Sequence, residues 1–252
     1  MLYFIIHNVI IKIRNMSEYA IPMNYFPTSD NYYDFENYLK KLDLVDTSYF
    51  EKIDVYGNTF IHKLLHNGSN KQGYYIAEIL EHIINTKKIT NINIQNAMGD
   101  SPLYIVCGGG SRGIDKITKL VQILLDNGAD PFQECDLLRT PFESATIYLR
   151  SVDIMKTLMN IKSMKYNKQK IIDHQDKNGA TLLMRICSDV SWFGEYVHGP
   201  LKFLLENNPN LELTDKHNKT YTDYLHNSQY YSEDANANIK CVENIINSFI
   251  EH

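Results

Sequence analysis

A chain of 252 residues, 44% hydrophobic and 22% charged, is globular rather than disordered in composition and long enough to bury a substantial core. A formal charge of -5 and a pI near 6.0 give no electrostatic basis for gripping nucleic acid, whose phosphates call for concentrated Lys and Arg. Cys107, Cys135, Cys187 and Cys241 lie far apart without a CxxC pair, against a small disulfide scaffold or a structural zinc site; reduced, mostly buried thiols in an intracellular protein are expected.

In chain order, residues 1–15 form an apolar extension. Leu2 to Ile13 is broken by His7, Asn8 and Lys12, and falls short of the roughly 18 apolar residues a bilayer span needs. It lacks the basic start and small-residue cleavage site of a signal peptide. Three readings stay open: a β-prone segment packing on the rest, a weak membrane contact, or an extension upstream of a start at Met16. Residues 16–53 come next. There, Ser29 to Leu42 predicts a capped amphipathic helix with Phe35, Leu39 and Leu42 on one side, covering the exposed face of the first unit downstream. Its tyrosines are alternatively a recognition surface.

From 54 to 252 the chain repeats, with units starting near 54, 96, 135, 176 and 215. Each has a polar residue, a short turn, a Thr or Ser, then an apolar helix start: Asp54-Val-Tyr-Gly57-Asn-Thr59, Asn96-Ala-Met-Gly99-Asp-Ser101, Asp136-Leu-Leu-Arg-Thr140, Asp176-Lys-Asn-Gly179-Ala-Thr181 and Asp215-Lys-His-Asn218-Lys-Thr220. The Thr/Ser anchors at 59, 101, 140, 181 and 220 are 42, 39, 41 and 39 residues apart. A Thr or Ser N-cap accepts a hydrogen bond from a free N–H of the first helical turn, worth about 1 kcal/mol. Pro102 and Pro141 follow at the first helical position, where a missing N–H costs nothing. Gly57, Gly99 and Gly179, with Asn218 as substitute, supply tight or left-handed backbone.

Each anchor precedes a second helix with an apolar stripe at helical spacing: Ile76, Ile79, Leu80, Ile83 and Ile84; Ile117, Leu120, Val121, Leu124 and Leu125; Ile154, Met155, Leu158 and Met159; Val197, Leu201, Leu204 and Leu205; Val242, Ile245, Ile246, Phe249 and Ile250. These are core stripes, with Ile83, Leu124, Leu158, Leu204 and Ile245 buried between neighbours. The lysines at 162, 165, 168 and 170 read as a solvated loop.

Thr59-Phe-Ile-His62-Lys-Leu64, Ser101-Pro-Leu-Tyr104 and Leu124-Leu125-Asp-Asn-Gly128-Ala129-Asp130-Pro-Phe132, echoed by Leu204-Leu205-Glu-Asn-Asn-Pro-Asn210-Leu211, complete the pattern. On these residues the chain resembles the ankyrin-repeat family from about Asp54 to Phe249. The resemblance implies an all-α solenoid of stacked helix-turn-helix repeats with short turn or hairpin tips, and His62 bonding backbone in the neighbouring turn. A step near 40 exceeds the family's roughly 33, so 108–113 and 188–199 read as insertions between paired helices, and 87–93 and 162–170 as additions after second helices. The fifth unit, with Thr222 and Asp223 in its first helix, reads as a polar cap.

The Gly108–Gly113 run lacks the Lys and Ser/Thr of a phosphate loop, and Ile114 and Asp115 follow it. His62 and His66 stand four apart but lack the general-base Glu of a zinc protease. Cys107 and Cys187 share one phase after their anchors, which marks packing rather than a nucleophile. No catalytic, cofactor or metal residues are expected. Carried over by phase from the family, the partner-binding positions are the turn tips: Tyr56, Asn58, Met98, Asp100, Leu137, Leu138, Arg139, Lys177, Asn178, His217 and Lys219. Tyr56 and Arg139 are the expected anchors; Leu137 and Leu138 alternatively turn inward to fill a third repeat that lacks its Gly.

The functional expectation is a non-catalytic, monomeric module that binds a protein, with neither nucleic acid nor membrane as partner. The rival is a membrane-associated adaptor using the apolar N-terminus. Heavy use of Asn, Ile, Lys and Tyr looks like AT-rich coding, similar to ankyrin proteins of large DNA viruses of amoebae. That resemblance implies an intracellular, host-cytoplasmic protein engaging host factors.

Overall fold

The computed structural model describes residues 32–67, 75–109, 114–160, 167–227 and 233–251. The apolar extension at 1–15, the Ser29–Asp30 start of the first helix and most of the glycine run lie outside these residues. Two short elements come first: α1 (Tyr32–Leu44) and α2 (Thr47–Glu51), the latter capped by Asp46 accepting from Ser48 N–H at 2.8 Å. Five helix pairs come after them. They are α3 (Phe60–Asn67) with α4 (Ile76–Asn85), α5 (Pro102–Gly108) with α6 (Ile114–Asp126), and α7 (Pro141–Ser144) with α8 (Val152–Met159). After the small helix α9 (Lys168–Ile172) come α10 (Leu182–Phe193) with α11 (His198–Leu205), and α12 (Tyr221–Asn227) with α13 (Glu233–Ile250). The architecture is an all-α solenoid, each pair packing on the next. Among the described residues no helix is long and apolar enough to cross a membrane.

The repeats stack because no pair can hide its apolar side alone. Ile83, Leu124, Leu158 and Leu204 are fully buried in one continuous cluster running from Phe35 to Ile246. Ile245 is only half-buried; the inward row of α13 is Ile239, Val242 and Ile246. At the end of α13, Phe249 and Ile250 are exposed. At the other end α1 buries Phe35, Tyr38 and Leu42 against the first pair, with Phe35 stacked on Tyr75 at 4.0 Å. The short helix α2 adds Phe50, edge-on to Phe60 at 5.1 Å.

All five anchors stand immediately before their helices, and four of them show how variable one cap position can be. Ser101 accepts from Tyr104 N–H at 3.2 Å, and Thr181 from Met184 N–H at 3.3 Å. Thr140 and Glu143 form a reciprocal capping box, Glu143 accepting from Thr140 N–H at 2.8 Å. In the first repeat His62 fills that return role, its Nδ1 accepting from Thr59 N–H at 3.1 Å. Its Nε2 donates to the carbonyl of Asp100 in the next turn at 3.1 Å, the inter-repeat bond implied by the resemblance. Burial holds the His62 pKa below its ordinary value, consistent with this neutral tautomer.

Three expectations change. Residues 188–199 are not a loop inserted between helices: α10 runs on to Phe193, and a 3₁₀ turn over Gly194–Val197 leads into α11. Val190 and Val197 are buried, so apolar residues at helical spacing carry the helix onward. Of the stretch 162–170, expected as a solvated loop, residues 162–166 lie outside the described residues and the rest enters a helix: Asn167 caps Gln169 N–H at 2.8 Å and α9 starts at Lys168. Third, the polar turn position of repeat 3 is Cys135 rather than Asp136: Cys135 N–H donates to Arg139 O at 2.9 Å, as the opening residue does in every other turn.

Candidate interaction surface

The five turns share one backbone hydrogen-bond pattern. The opening residue's N–H bonds the carbonyl four residues on in Asp54–Asn58, Asn96–Asp100, Cys135–Arg139, Asp176–Ala180 and Asp215–Lys219, at 2.9–3.1 Å. Each tip then donates one N–H to the previous tip: Ala97 to Tyr56 O, Asp136 to Met98 O, Lys177 to Leu137 O and Lys216 to Asn178 O, at 2.9–3.1 Å. A ribbon of tips therefore runs the length of the solenoid.

Four of the five turns have an internal acceptor. Oδ1 of Asp54, Asn96, Asp176 and Asp215 each takes two backbone N–H groups of its own turn, between 2.8 and 3.1 Å. Asp176 also holds Arg185 in an ion pair. Burial opposes its ionisation, yet Arg185 and the two N–H groups keep its pKa below the ordinary carboxylate value. Cys135 offers no such acceptor.

The left-handed position of each turn is Gly57, Gly99, Leu138, Gly179 or Asn218, at φ 72, 75, 55, 79 and 58°. A Cβ at Gly57, Gly99 or Gly179 would meet the backbone N of the following tip at 2.6, 2.7 and 2.9 Å. Glycine is therefore demanded there by close approach as well as by φ. Among the described residues no tip is bonded after that of Asn218, whereas the tip of Leu138 is followed by that of Lys177.

The ribbon aligns the sequence-predicted tip residues in one row: Tyr56, Met98, Leu137, Asn178 and His217. Tyr56 and Met98 are about two-thirds exposed, Leu137 half exposed and Leu138 41% exposed, so neither leucine fills the interior. Among the described residues Val55 is the most exposed large apolar side chain. Lys177, Asn178, His217 and Lys219 are exposed as well. The other three have internal bonds. Asn58 accepts from Asn96 Nδ2 at 3.0 Å, the half-buried Asp100 accepts from the same amide at 3.4 Å, and Arg139 lies 3.8 Å from Asp176 with its side chain one-quarter exposed.

Two features escape sequence reasoning. In repeat 3 the first helix loosens into a π turn over Ala145–Leu149 and ends on Arg150 in left-handed backbone at φ 52°, leaving Tyr148 exposed. Nothing in the local sequence announces it. Nearby, His174 joins two repeats, its Nδ1 3.1 Å from Glu143 and its Nε2 2.9 Å from Glu134. Burial works against its charge, but the two carboxylates prevail and raise its pKa to about 9. Among the described residues no group of three or more His, Cys, Asp or Glu could hold a metal ion.

Helix pairs joined through a hydrogen-bonded ribbon of turn tips decide the architecture. The fold is that of an ankyrin-repeat array. Among solved structures, an ankyrin repeat protein matches with a TM-score of 0.58 and 21% identity, over 86% of this chain and 90% of that one. A structure of a predatory endopeptidase from Bdellovibrio bacteriovorus in complex with an immunity protein matches with a TM-score of 0.58 and 16% identity, over 83% of this chain and 90% of the other. No family model and no curated protein matches. The array's third repeat departs furthest from the plan, at Cys135, Leu138 and Arg150.

Proposed function

We propose that this ankyrin array is a non-catalytic protein-interaction module whose partner lies along the turn tips of repeats 1 to 3. Leu138 carries this reading. It is an exposed leucine in a backbone conformation that costs an L-residue about 1–2 kcal/mol, where comparable repeats use glycine. Leucine recovers about 0.5–1 kcal/mol of that through a less flexible unfolded chain, so folding still loses on balance. Strain kept at an exposed position fits a residue held for contact with something else. Around it, Val55, Tyr56, Met98 and Leu137 form an apolar edge that the core does not need. The fold likeness to a chain from a complex with an immunity protein is in keeping with protein binding. A host factor as partner, the expectation from composition, belongs to the same reading.

The test is affinity of a captured partner for tip variants that keep the fold. Tyr56→Ala and Met98→Ala should each weaken binding by about 1–2 kcal/mol, a 5- to 30-fold loss, without a change in thermal midpoint. Undiminished binding by the folded double variant would overturn the proposed face.

A further inference from the structure

The tip row changes character along its length. Val55, Tyr56, Ala97, Met98, Leu137 and Leu138 make it apolar over repeats 1 to 3. Over repeats 4 and 5 it carries Lys177, Lys216, His217 and Lys219, all exposed. Among the described residues no carboxylate lies within ion-pair distance of these three lysines, although Lys219 acts electrostatically on Asp223. The turn aspartates do not neutralise them outright. Asp176 and Asp215 are buried, their carboxylates held by backbone N–H groups and by Arg185 or Tyr224. Asp136 is the one exposed acid in the row's turns and stands at the boundary, in repeat 3. A chain of net charge -5 thus presents a cationic stretch on the edge where its apolar tips end.

We propose that this edge takes a protein segment with an apolar stretch followed in fixed order by an acidic one, the acidic part over Lys177, Lys216 and Lys219. The proposal rests on the interaction reading above and adds the partner's chemistry and polarity. Apolar anchors supply affinity, and the lysines set direction and speed of encounter, since complementary charge steers association and excludes wrong partners. Three lysines in an acidic chain suit a short acidic stretch better than a polyphosphate backbone.

The probe is a random linear peptide library displayed on phage and panned against the full chain. Peptides enriched by the protein should pair an aromatic or aliphatic cluster with Asp or Glu in a constant order. Synthetic copies should bind about tenfold more weakly to the Lys177→Glu/Lys216→Glu/Lys219→Glu variant, and raised salt should narrow that gap. A Tyr56→Ala/Met98→Ala/Leu137→Ala variant separates the two levels. If it abolishes binding while the lysine variant does not change it, the acidic-segment proposal fails and the interaction reading stands. If it leaves binding intact, the tip face itself fails. Enriched peptides without acids, no enrichment, or single-stranded RNA binding lost in the lysine variant would each overturn the proposal.

Discussion

Repeats 3 and 4 sit side by side on one plan, and they meet its demands to very different degrees. Repeat 4 has a buried turn aspartate with two N–H donors and an arginine, a glycine at the left-handed position, and a first helix that runs without interruption to Phe193. Repeat 3 has a cysteine where the acceptor belongs, a leucine where the glycine belongs, and a π turn ending on a left-handed arginine. Both close the same turn and keep the same ribbon bond to the next tip, at 3.1 and 2.9 Å on the two sides of repeat 3. The turn geometry is therefore imposed by the stacked neighbours as well as by the turn's own residues. Repeat 4 is where the array is held; repeat 3 is where it can carry residues chosen for other reasons.

The largest effect should come from removing the acceptor that repeat 3 already lacks. Asp176→Ala strips two turn N–H groups and Arg185 of their partner in a buried site, and should cost about 3 kcal/mol in urea denaturation. Cys135→Ala, at the matching position, removes a thiol that meets the Tyr104 hydroxyl but serves no turn N–H, and should cost about 1 kcal/mol. Equal losses would show that the two turns are supported alike.

Next in size is the bridge between these repeats. His174 binds Glu143, which is already the return acceptor of repeat 3's capping box, and Glu134 just before that repeat's turn. Its pKa is raised from 6.5 to about 9 in the folded chain. The imidazolium's contribution is thus fully present below pH 6.5 and is lost as pH rises towards 9. With one partner, Glu134, well exposed, about 1–2 kcal/mol is expected rather than the whole of that shift. Stability of the native chain should fall across that window and that of His174→Gln should be flat there. Parallel pH profiles would remove the bridge from the account.

Much of the array was legible in sequence because its determinants are local. Thr59, Ser101, Thr140, Thr181 and Thr220 each mark a helix start, and the stripes from Ile76 to Leu205 mark the buried faces. The tips were legible as positions, and their alignment into one ribbon follows from the repeat phase. Contacts between distant residues were not. His174 meets partners 31 and 40 residues away, and no short-range pattern encodes that. Asp136 drew the polar role away from Cys135, since an aspartate beside a turn is the better local candidate; the ladder decides otherwise. The helix α2 did carry a signal, Asp46 before Thr47 and Ser48, but five residues are too few to show a period.

The smallest stability effect is also the most telling, because its sign is unusual. Leu138→Gly removes the left-handed penalty of about 1–2 kcal/mol and returns about 0.5–1 kcal/mol as unfolded-state entropy. A net gain of about 0.5 kcal/mol is expected, visible as a higher urea midpoint with unchanged slope. Leucine at 41% exposure contributes little to the core that the change could lose. The same variant should bind the partner several-fold more weakly, since it takes away an apolar contact between Leu137 and Lys177. A residue kept for packing would give the opposite pair of results, lower stability with binding untouched. Gain of stability with loss of binding is the signature of a side chain held at the fold's expense, and only that combination separates repeat 3 as a contact surface from repeat 3 as a repeat in decay.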